Sequence, residues 1–82
     1  MSAETGSSTN TVVLYIPLLN EGTDVFRPTT GILLRPGVVR VLPTKDYDAG
    51  TEEWEFPPGS EVQYQTEVRS GREVLVARRR IA

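Results

Sequence analysis

The sequence contains no cysteine, no histidine and a single lysine, Lys45. Without cysteine there is no disulfide to brace the fold and no thiolate to attack a substrate or hold a metal. Without histidine the usual general base near neutral pH and the commonest metal ligand are both missing. The two absences together argue against zinc, haem and iron–sulfur sites. No apolar run approaches the ~20 residues that a membrane-spanning helix needs. The first residues lack the basic and apolar blocks of a signal peptide. Secreted domains of this size often carry disulfides, so the expectation is a soluble, cytoplasmic protein. No glycine loop of the phosphate-cradling kind is present, and the Ser, Thr, Tyr and Lys45 side chains sit in no activating motif. The expectation is therefore a protein that is not an enzyme and holds no cofactor or metal.

What remains is a chain of 82 residues, enough for one domain. Such a domain buries only about 60% of its unfolded surface, so its core is thin. Nine basic residues against eleven acidic ones give a net charge of -2, which argues against strong non-specific binding to nucleic acid. Residues 1–10 (MSAETGSSTN) are polar and small and read as a disordered tail. From residue 11 to residue 82 the pattern is that of a single β domain. Val12-Val13-Leu14-Tyr15-Ile16 is a β-branched and aromatic strand stopped by Pro17. Val25-Phe26 opens a second extended stretch that Pro28 interrupts, because proline cannot donate to a ladder; Ile32-Leu33-Leu34 resumes it. Arg35-Pro36-Gly37-Val38 has the residues of a type II turn, and the chain returns through Val38–Leu42.

Residues 43–59 form a long polar loop, followed by two strands, Glu61–Val68 and Arg72–Arg79, joined through Arg69-Ser70-Gly71. A three-residue turn with Gly71 at positive φ places Val74 and Val76 on the face of Tyr64 and Thr66 and sets Glu61 opposite Arg79. A two-residue turn places them with Gln65 and Glu67 instead. Only the first register gathers apolar residues on one side, so it is the expected one. No segment carries a 3.6-residue apolar period. Five short strands suggest an all-β fold, a small five-stranded SH3-like barrel or roll. Its expected core is Leu14, Ile16, Phe26, Ile32, Leu34, Val39, Val41, Val62, Tyr64, Val74 and Val76.

Several constellations could carry function. Asp46, Asp48, Glu52 and Glu53 begin like a calcium loop, but Pro57 stands where the last carboxylate ligand belongs; a solvated acidic loop is the plainer account. Trp54 and Phe56 flank Glu55, with Tyr47 nearby. A partly exposed Trp beside a carboxylate could anchor a partner's basic or proline-rich segment, or else the aromatics could plug one end of the barrel. Arg27 could pair with Asp24 or with the acidic loop and pin the intervening arm. The Arg78-Arg79-Arg80 run could touch phosphate or guard an edge strand. The candidate partner-binding set is thus Tyr47, Trp54, Glu55, Phe56, Asp24 and Arg27.

Two segments, Pro17-Leu18-Leu19-Asn20-Glu21-Gly22-Thr23-Asp24-Val25-Phe26-Arg27-Pro28 and Glu53-Trp54-Glu55-Phe56-Pro57-Pro58-Gly59, carry a resemblance. The chain resembles a family of small bacterial proteins with a PLLDEGTDVWRP-like stretch followed by an EEWEFPPG-like one. Asn20 and Phe26 stand where that family has Asp and Trp. The resemblance implies small size and a bacterial source and brings no activity with it. The reading that best fits is a protein-interaction module with a protein partner, or a homodimer. The alternatives are a nucleic-acid-binding barrel using Arg40, Arg78 and Arg80 with an exposed aromatic, and an accessory subunit of an enzyme.

Overall fold

The computed structural model describes residues 10–22 and 25–82. The tail expected over 1–10 therefore lies outside the described residues except for Asn10. The Asn10 carbonyl accepts a hydrogen bond from the Leu33 amide at 2.7 Å, which ties this residue to β2 just before β1 begins. The strands are β1 (Thr11–Pro17), β2 (Phe26–Arg35), β3 (Val38–Val41), β4 (Glu61–Arg69) and β5 (Arg72–Arg80). They close into a barrel in chain order, β1-β2-β3-β4-β5. Neighbours run antiparallel, and a short parallel seam, Leu14 with Leu75 and Tyr15 with Val76, closes the ring between β1 and β5. This is the small five-stranded all-β barrel expected from the strand count.

Alternation along β1 turns Leu14 and Ile16 inward, both fully buried, and leaves Val13 exposed. β2 is continuous through Pro28, not interrupted there. The Leu33 amide points toward β1. Counting back by alternation, the ring nitrogen of Pro28 faces the other side, where β3 has already ended opposite Gly31. The missing donor is thus not needed, and the proline sits at an edge.

The inward positions of β2 are Thr29, Gly31 and Leu33, one step out of phase with the apolar choice Ile32 and Leu34. Pairing shows the phase: Thr29 lies opposite Leu14, and Leu33 opposite Val39. Leu34 is 36% exposed, and Ile32 and Phe26 are half-buried outside the core cluster, which corrects three of the expected core positions; Tyr64 is half-buried but packs against the core. Val38, Trp54, Phe56 and Ala77 are buried in addition. Gly31 is the reason for the phase. A Cβ there would overlap Val39 Cγ1 and press on the Arg40 carbonyl oxygen at 3.1 Å, so only glycine lets β3 close over β2.

The β2–β3 turn has Gly37 at φ 87°, as a type II turn requires. The β4–β5 turn differs from expectation. Gly71 has the anticipated positive φ, 78°, but Ser70 is also at 52°, and Arg69 pairs with Arg72. This is a two-residue turn with both central residues left-handed. It sets Val74 opposite Glu67 and Val76 opposite Gln65, and a bulge at Arg78 then brings Gln63, not Glu61, opposite Arg79.

The expected register failed because β5 is apolar on both faces. Leu75 and Ala77 belong to the core side, whereas Val74 and Val76 lie on the outer face with Tyr15, and Val76 is fully buried there. A strand buried on both sides reads as a continuous apolar run, here Val74 to Ala77, and such a run does not announce its register.

Replacing Gly31 by Ala is expected to destabilise the protein by about 1–3 kcal/mol through overpacking. In Gly31→Ala/Val39→Ala the smaller side chain should accept the new methyl, leaving the double variant more stable than the sum of the singles implies. Urea unfolding of the four proteins checks this; strict additivity would show that Gly31 and Val39 do not compete for one space.

Candidate functional site

The loop between β3 and β4 folds back onto the end of β1. The Leu19 amide donates to the Glu53 carbonyl at 2.7 Å, the Glu55 amide to the Pro17 carbonyl at 2.9 Å, and Leu18 and Trp54 form an isolated antiparallel bridge. These bonds hold residues 53–56 extended, so their side chains alternate. Glu53 and Glu55 face solvent, while Trp54 and Phe56 turn into the barrel and are 4% and 5% exposed. Of the two alternatives for these aromatics, the structure takes the plug over the exposed anchor: these two rings fill one end of the barrel.

Glu52 locks the plug in place. Its Oε1 accepts from the indole Nε1 of Trp54 at 2.8 Å and from Nε of Arg27 at 3.1 Å, and its Oε2 pairs with Nη2 of Arg27. Arg27 lies opposite Ile16 on β2 and so shares the inward face. The pairing of Arg27 with the acidic loop is one of the two partners foreseen for it; the other, Asp24, lies outside the described residues. Tyr47, half-buried, packs edge-on against Trp54 with centroids 4.7 Å apart. Asp48 ties the start of the loop, its Oδ1 accepting from the Gly50 amide at 2.8 Å and its carbonyl from the amides of Thr51 and Glu52. Among the described residues no three acidic side chains converge as a metal-holding group. Of the six candidates, then, Tyr47, Trp54, Phe56 and Arg27 are joined in one scaffold, and Glu55 alone is exposed on its rim.

A second surface, not singled out in the sequence, lies on the outer face of β1 and β5. Tyr15 there is next to Val76, and Phe26 and Pro28 of β2 share its face through their pairing with Pro17 and Tyr15. Two guanidinium groups cover the Phe26 ring, Arg69 at 4.7 Å and Arg78 at 5.7 Å from its centroid. Both are held by Glu67, through Arg78 Nε at 2.6 Å, Arg78 Nη2 at 2.7 Å and Arg69 Nη2 at 2.8 Å. These hydrogen bonds, from Arg78 first and then from Arg69, hold the Glu67 carboxyl down at about 2, well below its ordinary 4.5. Beside this clamp a depression of about 530 Å³ is lined by Tyr15, Phe26, Val68, Arg69 and Ser70. A separate depression shares Tyr15 and is lined also by Arg72, Glu73, Val74, Leu75 and Val13, which is 62% exposed. Tyr15 and Val13 alternate with Leu14 and Ile16 in β1, and that alternation was the available signal for an apolar outer face.

The arginines proposed for phosphate contact are largely compensated. Arg78 is bound to Glu67, Arg40 to Glu61 at 3.0 Å, and Arg80 Nε donates to the Ala82 carbonyl at 3.3 Å. No family model, curated protein or solved structure matches the chain, so its function has to be argued from its own residues.

A depressed carboxyl pKa contributes stability above the unfolded value and loses it as the pH falls through the folded one. For Glu67 that window runs from 4.5 down to about 2. Melting temperatures of wild type and Glu67→Gln should thus differ at neutral pH and converge across this window. Curves that stay parallel through it would show that the two arginine bonds add nothing to folding.

Proposed function

We propose that this domain is a non-catalytic protein-interaction module whose contact surface is the outer face of β1 and β5. The observation that carries the proposal is a partly covered apolar strip on which Val13 is exposed and Tyr15 and Phe26 are half-buried, backed by the buried Val74 and Val76 and bordered by the 530 Å³ depression. Rigid sheet beneath apolar and half-buried aromatic side chains suits a binding hot spot, because little entropy is lost on contact. The strip is apolar at its centre, so the partner fitted to it is a protein segment that buries apolar side chains between Val13 and Phe26.

Nucleic-acid binding is the competing reading. The pairing of Arg40 and Arg78 with glutamates counts against it, since phosphate contact would have to displace carboxylates already in place. The rim of the acidic loop, with Glu55 exposed, offers charge, but Trp54 and Phe56 are buried and Tyr47 is packed edge-on against Trp54.

A photo-reactive amino acid placed at position 13, and in a second protein at position 55, separates these surfaces in the native host. The proposal expects one protein to cross-link through position 13 and not through position 55. Cross-linking through position 55 alone would move the site to the acidic loop, and recovery of nucleic acid through position 13 would overturn the protein-binding reading.

A further inference from the structure

The β4–β5 hairpin runs beyond the wall of the barrel. On its β3 side, β4 is paired only at Glu61, Val62 and Gln63, and the last contact is the Tyr64 amide donating to the Gly37 carbonyl at 3.1 Å. By alternation the backbone groups of Thr66 and Val68 point the same way as those of Tyr64, past the end of β3. No strand of the barrel pairs with them there. The Arg69–Arg72 pair closes the hairpin on the opposite side, so these groups are not part of the β4–β5 ladder. Val68 is also 70% exposed, the most open of the large apolar side chains among the described residues. Open edges are normally guarded by proline, a bulge or charged side chains; here the two charges, Glu67 and Arg69, are of opposite sign and paired with each other. Gln65 to Arg69 contains no proline or glycine, and the hairpin's bulge falls at Arg78, before this stretch.

We propose that this edge pairs with the same edge of a second copy of the chain, antiparallel and centred on Val68. Charge decides both the occupant and the register. An antiparallel pair centred on Glu67 would set two carboxylates face to face. Centred on Val68, the pair places Glu67 of each copy opposite Arg69 of the other, two opposite-charge contacts generated by one twofold axis. Val68 then meets Val68, and their amides and carbonyls, which have no backbone partner among the described residues of one copy, bond reciprocally. Glu67 and Arg69 already share the outer face and bond at 2.8 Å within one copy, so the exchange needs little movement of either. Val68 and Arg69 also line the 530 Å³ depression beside the β1–β5 strip, but the pairing uses the backbone edge of β4 and does not depend on the reading given to that strip. The contact is short and belongs to the weak, transient class of interface.

Sedimentation of the full chain from about 1 µM to about 1 mM tests the proposal. The mass should rise from 9.1 kDa toward twice that value. Val68→Pro removes an amide that the β4–β5 ladder does not use, and it should remain monomeric while keeping the wild-type circular dichroism. Arg69→Glu and Glu67→Arg should each dimerise at least about tenfold more weakly than wild type, because like charges then face across the axis. Mixed one to one, the two variants should dimerise with each other, since every facing pair is again of opposite charge. A wild-type chain that stays monomeric throughout overturns the proposal, as does a folded Val68→Pro that dimerises like wild type. Failure of the mixture where wild type dimerises overturns the Val68-centred register, and the mixing result decides should Val68→Pro not fold.

Discussion

Five short strands enclose an interior that their own inward side chains leave open at one end, and everything else in the molecule follows from how that end is filled. Two of the inward positions of β2 are small, Thr29 and Gly31, the latter because β3 approaches too closely for a side chain. The missing volume comes from outside the strands, as Trp54 and Phe56. A small domain without disulfides has little core to spare, and burying two large aromatics is the most that so short a loop segment can add. Their delivery depends on the backbone bonds from Leu19 and Glu55 and on the Glu52 carboxylate, which satisfies the indole N–H and a guanidinium together. A buried indole donor left without a partner would oppose the packing that put it there. The acidic character of the loop is thus structural at Glu52, whatever Glu53 and Glu55 do on the solvent side.

The same constraint directs attention away from the loop and toward the opposite wall. With Trp54 committed to the interior, the aromatic side chains that line the 530 Å³ depression are the half-buried Tyr15 and Phe26. It is kept in order by the Glu67 carboxylate, which aligns Arg69 and Arg78 over the Phe26 ring. The arginine stems cover apolar surface while their heads stay hydrated. Val76 is buried beneath this outer layer as completely as Leu14 is in the core. The barrel therefore carries two apolar layers back to back through β5, one closed by the plug and the other only partly covered.

Much of the architecture was legible in the residues. Strand positions followed from β-branched runs, and Pro36-Gly37 announced its turn. Positive φ at Gly71 was also foreseen. The failures share one cause, a two-fold choice that local apolarity cannot make. Ile32 and Leu34 are more apolar than Thr29 and Gly31, yet the latter face inward because Val39 needs the room. Val74 and Val76 were assigned to the core side, but Leu75 and Ala77 are equally apolar and take that side instead. For the site, Trp54 was weighed as anchor or as plug, and sequence holds no measure of whether a loop folds back; the deciding contacts, from Leu18 and Leu19, lie more than thirty residues away. The Arg27–Glu52 pair was within reach because charge complementarity survives the loss of geometry. The outer strip of Val13 and Tyr15 was missed because one-sided burial of β1 was assumed.

Trp54 is the only tryptophan in the chain, so its fluorescence reports on the plug alone. Emission of the native protein, recorded with increasing acrylamide, is the most direct test of the plug. A ring 4% exposed predicts blue-shifted emission and weak quenching, both giving way to the exposed values when the protein is unfolded in urea. Native emission already at the water-exposed position, quenched as readily as in urea, would contradict the account, since Trp54 would then be an open surface ring and the barrel end would be filled by something else.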